Sequence, residues 1–124
     1  MRFAQRVFFA AGVYGLIVVL PLFAAEGLVA RIAPPPPTHP EYYYGLASGA
    51  LGWQVLYFVV AYDPVRFRPL ILLSALAKTG MVATTLLLLA AGRMSLLFAV
   101  PVGGDLVFAL LFVAAHRAVR DARA

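Results

Sequence analysis

The sequence predicts an all-α fold: an integral membrane four-helix bundle with antiparallel up-and-down topology and both termini in the cytoplasm. Of the 124 residues, 64% are hydrophobic, and a soluble domain of this size has too little interior to bury so much apolar area. A helix needs about 20 apolar residues to cross the hydrocarbon core of a bilayer. The apolar runs predict helices over residues 7–25, 39–62, 70–91 and 95–115, within a single transmembrane domain of residues 1–124.

The basic residues predict the orientation of these helices, because Lys and Arg accumulate on the cytoplasmic side of spanning segments. The side with both chain ends carries Arg2, Arg6, Arg66, Arg68, Arg117, Arg120 and Arg123, whereas the other side carries only Arg31 and Arg93. We therefore expect a multi-pass protein of a bacterial inner membrane. A basic start before an apolar run is also typical of a secretory signal, but Leu22 and Phe23 are too large for a peptidase site.

The first connection is the long one, and residues 31–38 form a proline-rich outer loop. Its four consecutive prolines cannot form a helix and favour a stiff, extended segment. Thr38 and Glu41 have the spacing of a capping box, so the second helix should begin near His39. The three tyrosines that follow Glu41 are expected among the lipid headgroups.

The other two connections are tight turns. Asp63 is expected to cap the first of them, and Pro69 to open the third helix. Gly92 is placed to end that helix, and Ser95 is a candidate N-cap for the fourth. Pro101 and the Gly-Gly pair after it predict either an ordinary spanning helix or one that is kinked or partly unwound near the membrane centre.

Composition excludes several kinds of chemistry. Cysteine is absent, which excludes disulfides, thiol redox catalysis and Cys-ligated metal sites. The basic residues lie at helix ends and not along one stripe, so nucleic acid is not an expected partner. No cofactor and no metal site are expected. The expected partners are membrane lipids, a hydrophobic small molecule, further copies of the chain or subunits of a membrane complex.

Two charged residues lie inside predicted spans, where a charge costs about 2.5–3.5 kcal/mol on insertion scales. Lys78 is on a helical face with Ser74, Met81 and Thr85, and Asp105 with Pro101, Phe108 and Phe112. Counted from the helix ends, Tyr14 and Gln54 lie at a similar depth, so Tyr14, Gln54, Lys78 and Asp105 form the predicted polar layer and candidate site. Whether Lys78 pairs with Asp105 or extends to the headgroups stays open at this point.

Secondary candidates lie at the outer end of the predicted bundle. Glu26, His39 and Glu41 could do acid-base work, against the alternative of a helix cap and headgroup contacts. Gly45, Gly49 and Gly52 share one side of the second helix, where small residues let another helix approach, within the chain or in a dimer.

The middle third of the chain contains several distinctive segments. They are His39-Pro40-Glu41-Tyr42-Tyr43-Tyr44-Gly45, Trp53-Gln54, Asp63-Pro64 with Arg66, Arg68 and Pro69, and Lys78. In these segments the chain resembles a group of small uncharacterised bacterial inner-membrane proteins, and its helix count and size are similar to the broader DoxX-like set. The resemblance implies a four-helix membrane fold and no particular activity.

Three functions are compatible with these observations. The favoured one is a protein that binds a lipid or hydrophobic ligand between its helices, or an accessory subunit of a membrane complex. The alternative is a small oligomeric proton-coupled transporter using Asp105 or Lys78; it resembles small multidrug exporters in size, but those have a Glu where this chain has Tyr14 and Gly15. An enzyme acting on a lipid inside the membrane is less favoured than either.

Overall fold

The computed structural model describes residues 2–32, 38–94 and 96–123, which contain helices and turns and no strand. The helices are α1 (Arg2–Val19), α2 (Glu26–Ile32), α3 (Pro40–Tyr62), α4 (Arg68–Ala90) and α5 (Leu96–Arg123). Within these ranges, 4 helices are long and apolar enough to cross a membrane: α1 with the turn after it, α3, α4 and most of α5. The expected all-α fold with four helices of spanning length is confirmed.

The first and last helices are longer than predicted. α1 begins at Arg2 and not near residue 7, and α5 continues to Arg123 and not to residue 115. The prediction followed only the apolar runs, whereas Arg, Gln and Ala in the flanking segments are good helix formers. Both helices therefore extend beyond their apolar cores.

The end of the first predicted helix differs from the expectation. The α-helical geometry stops at Val19, and residues Leu20–Phe23 form a tighter 3-10 turn around Pro21. The proline has no N–H, so it cannot make the bond that would continue the α-helix. The short helix α2 then includes Arg31 and Ile32, which the prediction placed in the loop. Residues 33–37 of the predicted outer loop, which include the four prolines, lie outside the described residues.

The predicted capping box at the start of α3 was wrong. The N-cap is His39, and no side chain caps the helix. Because a proline restricts the residue before it to extended conformations, Pro40 makes His39 the last non-helical residue. Glu41 is thereby in the second helical position and not in the third, which a capping box requires.

The two tight turns form as predicted. Asp63 Oδ1 accepts a hydrogen bond of 3.2 Å from the Arg66 amide, and α4 begins at Arg68 with Pro69 in its first turn. Gly92 has φ of 68° after the end of α4, and the Arg93 amide donates to the Leu88 carbonyl at 2.9 Å. This is a glycine-terminated helix end, in which the left-handed residue needs no Cβ. Ser95 lies outside the described residues.

Helix α5 is unbroken through Pro101 and the following glycines. The alternative of a partly unwound helix, in which backbone carbonyls would lose their helical hydrogen bonds and become exposed, was therefore wrong. Proline within a spanning helix is tolerated when neighbouring side chains bond to the freed backbone groups nearby.

Helix α1 contacts both α3 and α5, and α5 in turn packs against α4. Gly12 lies against Phe58 and Gly15 against Gln54, so α1 and α3 run in opposite directions. We call the end of the bundle with the chain ends and the α3–α4 turn the terminus end, and the other the loop end. Helices α3 and α4 are consecutive in the chain but make few contacts with each other.

The tightly packed core occupies the terminus half of the bundle. Phe8 stacks on Phe112 with ring centroids 4.3 Å apart, and the edge of Tyr57 meets Phe8 at 5.9 Å. The cluster of buried residues around them is Ala4, Val7, Phe8, Ala11, Tyr57, Val60, Ile71, Ala75, Phe112, Ala115 and Val119. Outward faces are apolar as well, with Ile17, Leu87 and Leu110 largely exposed, as a lipid environment favours.

Candidate functional site: a cavity above a buried ion pair

A cavity of about 600 Å³ lies in the loop half of the bundle. Its walls come from residues 14–19 of α1, 45–57 of α3, 77–81 of α4 and 97–105 of α5, including Val18, Ala50, Trp53, Met81 and Leu97. The aromatic core closes it toward the terminus end, where Tyr57 belongs to both the core and the cavity wall. The cavity is therefore mainly apolar and occupies one end of the bundle.

The base of the cavity contains a direct ion pair. Lys78 Nζ lies 2.6 Å from Asp105 Oδ1, and the side chains are 9% and 19% exposed. The ammonium group also faces two aromatic rings, at 5.3 Å from the Tyr57 centroid and 6.0 Å from that of Phe108. The sequence left this pairing open; the long lysine side chain spans the offset between the two helix positions. Lys78 does not extend to the headgroups.

The ion pair leaves hydrogen-bonding capacity unused. Among the described residues, Lys78 donates only to Oδ1 of Asp105, and no group donates to Oδ2. An ammonium group has three N–H donors, and a carboxylate has two acceptor oxygens. Asp105 lines the cavity, so its carboxylate is within reach of a molecule held there.

Tyr14 connects α1 to α5 beside the ion pair. Its hydroxyl donates a hydrogen bond of 2.7 Å to the carbonyl of Pro101, and its ring lies 5.4 Å from that of Phe108. A Cβ on Gly104 would overlap the Tyr14 hydroxyl. The glycine thus provides the space into which Tyr14 fits, a role that the sequence pattern did not indicate.

Gln54 lines the cavity from α3 but does not bridge the ion pair. Its Nε2 donates to the Ala50 carbonyl at 2.7 Å. Its Oε1 is buried and has no hydrogen-bond partner among the described residues, and it lies against Gly15. All four residues of the predicted polar layer therefore line one cavity, in which Lys78 and Asp105 are joined directly and Tyr14 and Gln54 bond to backbone carbonyls.

The helix faces that carry Lys78 and Asp105 point into the bundle, except at Met81, which is 39% exposed. Ser74 and Thr85 are buried on the same side of α4 as Lys78, and the Ser74 hydroxyl donates to the Leu70 carbonyl at 2.6 Å. Phe112 is buried on the same side of α5 as Asp105.

The secondary candidates are separated into two hydrogen-bonded pairs. Tyr44 donates to Glu26 Oε2 at 2.8 Å, whereas His39 Nδ1 lies 3.3 Å from Glu41 Oε1 with both side chains mostly exposed. Within the described ranges, no group of three or more His, Cys, Asp or Glu residues could hold a metal ion.

Two tyrosines have a role that the sequence reasoning missed. Tyr43 donates to the Leu22 carbonyl at 2.7 Å, and Tyr44 binds Glu26, so together they tie the start of α3 to the segment after α1. The prediction placed them among lipid headgroups because of their position in the chain. The signal in the sequence was Glu26, a carboxylate near the end of the first helix that can accept a hydrogen bond from a tyrosine.

The glycine face of α3 does not pack within the chain. A Cβ on Gly45, Gly49 or Gly52 would meet no atom within 4 Å, so the first of the two alternatives for these residues, a helix contact within the chain, was wrong. Gly45 and Gly49 instead border the cavity.

Comparison of the chain with models of protein families, with curated proteins and with solved structures finds no match. The described residues therefore define only a class of protein: an all-helical protein with four helices able to span a membrane and a cavity between them.

Proposed function

We propose that this chain is a multi-pass protein of the bacterial inner membrane that binds a lipid or another hydrophobic small molecule in the cavity between its helices. The observation that carries the proposal is the cavity of about 600 Å³, with apolar walls and a buried ion pair at its base. Pockets for small ligands are typically about 300–1,000 Å³, mostly apolar, with a few polar groups that fix orientation.

The cavity does not result from loose packing throughout the bundle. Protein interiors are packed so densely that voids larger than a water molecule are few. The terminus half meets this standard, since Phe8, Val60, Ile71 and Phe112 are fully buried there. A chain that packs one half so well and leaves a cavity in the other supports a binding role for the second half.

Access from the bilayer is the route that the geometry favours. Helices α3 and α4 touch little, and residues on both of them line the cavity while remaining exposed, namely Gly49 on α3 and Met81 on α4. In a membrane this side of the bundle would face lipid tails. An apolar molecule could then enter without crossing water.

The exposed tyrosines support a spanning position for α3. Tyr42 and Tyr62 are 72% and 84% exposed, and their separation along a helix corresponds to about 30 Å, the thickness of a hydrocarbon core. The distribution of basic residues further supports an up-and-down bundle with both termini in the cytoplasm. The resemblance to small DoxX-like membrane proteins is consistent with this arrangement.

The single tryptophan of the chain, Trp53, lines the cavity and provides the test. The full-length protein would be reconstituted in phosphatidylcholine vesicles and titrated with dibromo-octadecanol, whose bromines quench tryptophan on contact. The control pair is Gly49→Leu, which fills the cavity, and Gly52→Leu, which lies on the same helix outside it; a Cβ fits at either position.

We expect saturable quenching in the wild-type protein and in Gly52→Leu, and only the linear quenching by bulk lipid in Gly49→Leu. Identical linear quenching in all three proteins, by this alcohol and equally by its methyl ether and by dibromostearic acid, would overturn the proposal.

A further inference from the structure

The hydrogen-bond acceptor at the base of the cavity, Asp105, indicates what kind of headgroup the ligand has. Asp105 keeps more of its side chain exposed than Lys78, 19% against 9%. Its Oδ2 accepts no hydrogen bond from the described residues. Asp105 lines the cavity, and a carboxylate oxygen without a donor in apolar surroundings is costly, since hydrogen bonds to charged groups are stronger than neutral ones. The cavity therefore favours a ligand that brings a donor.

The charge of the base limits the ligand further. Lys78 and Asp105 neutralise each other at 2.6 Å, and both lie inside candidate membrane spans, Lys78 at the middle of α4 and Asp105 in the first half of α5. An anionic or cationic headgroup would add a net charge in the hydrocarbon region, which costs several kcal/mol. A neutral headgroup adds none.

The type of polar group follows from the two constraints together. A carbonyl or a quinone only accepts hydrogen bonds, so it leaves Oδ2 of Asp105 without a partner. A carboxylate lipid would bring a second negative charge to that oxygen. A hydroxyl donates to Oδ2 and can accept one of the N–H groups that Lys78 does not use.

We propose that the ligand is a neutral lipid with a free hydroxyl headgroup, which donates a hydrogen bond to Oδ2 of Asp105 while its apolar part fills the cavity. This inference rests on the proposed binding function. The headgroup lies deep in the bundle at the ion pair, and the tail extends along Trp53 toward the opening between α3 and α4.

The test compares three probes that differ at the headgroup only: dibromo-octadecanol, its methyl ether and dibromostearic acid. Each would be titrated into vesicles with the full-length protein, with Trp53 quenching as the readout. The ether keeps the oxygen and the chain but cannot donate. We expect the alcohol to bind at least about tenfold more tightly than the ether, which corresponds to about 1.4 kcal/mol, and the acid to bind more weakly than the alcohol.

A double variant, Lys78→Met with Asp105→Leu, tests whether the ion pair causes this preference. It leaves no unpaired charge in the bundle, and the ratio of alcohol to ether affinity should fall to about one. A ratio that stays near ten in this variant would overturn the assignment to Asp105.

The possible failures are distinct. Equal saturable binding of alcohol and ether by the wild-type protein, or tighter binding of the acid, would refute the hydroxyl headgroup and leave the binding function standing. Absence of saturable quenching by any of the three probes would refute the binding function itself.

Discussion

Removing one partner of the ion pair should destabilise the protein far more than removing both. Lys78 and Asp105 lie 2.6 Å apart with little exposure. Breaking a buried pair typically costs about 3–5 kcal/mol, because the remaining charge has no partner, whereas an apolar replacement of both is often neutral or better. We expect Asp105→Leu alone to lower the free energy of unfolding by about 3 kcal/mol, and the added Lys78→Met to restore most of it.

The assay is reversible unfolding in mixed micelles of dodecyl maltoside and sodium dodecyl sulfate, followed by far-ultraviolet circular dichroism. The matched control is Asp121→Leu on the same helix. Asp121 is 73% exposed and lies 3.6 Å from Arg120, so this surface pair should contribute little. If Asp105→Leu alone were as stable as the wild type, Lys78 would have reached the headgroups and the pairing argument would be refuted.

Two further predictions concern packing and orientation. Gly104→Ala should displace Tyr14 and lower the free energy of unfolding by about 1–3 kcal/mol in the same assay. The control Gly103→Ala, whose added Cβ meets open space, should be neutral or stabilising by up to about 1 kcal/mol. Equal effects of the two substitutions would show that Tyr14 moves aside freely. The chain has no cysteine, so a single introduced cysteine reports the side of the membrane on which it lies. Arg93→Cys should react with an impermeant maleimide on intact bacteria, and Arg66→Cys only after lysis. The reverse pattern would contradict the proposed orientation.

Much of the fold could be predicted from the sequence because it depends on local properties. Apolar runs of spanning length located the four long helices, and the turn residues Asp63, Pro69 and Gly92 located two of the connections. The start of α3 shifted by one residue because Pro40 dictates the conformation of His39. A pattern of apolar residues alone does not reveal how far a helix continues into polar segments such as those at Arg2 and Arg123.

The candidate site could be predicted only in part. Depth along each helix was enough to group Lys78 with Asp105, since it depends on residue counts. The cavity could not be predicted, because it results from the way α3 and α4 separate while α1 packs closely on α3 and α5 on α4. The fit of Tyr14 against Gly104 likewise depends on the contact between two helices distant in sequence.

Whether the cavity above Lys78 and Asp105 holds a hydrophobic ligand can be seen directly. The measurement is an experimental structure of the protein in a lipid bilayer, examined between α3 and α4. We expect elongated non-protein density that begins within hydrogen-bonding distance of Asp105 and passes Trp53. A bundle in which α3 and α4 close together and leave no such density would contradict it.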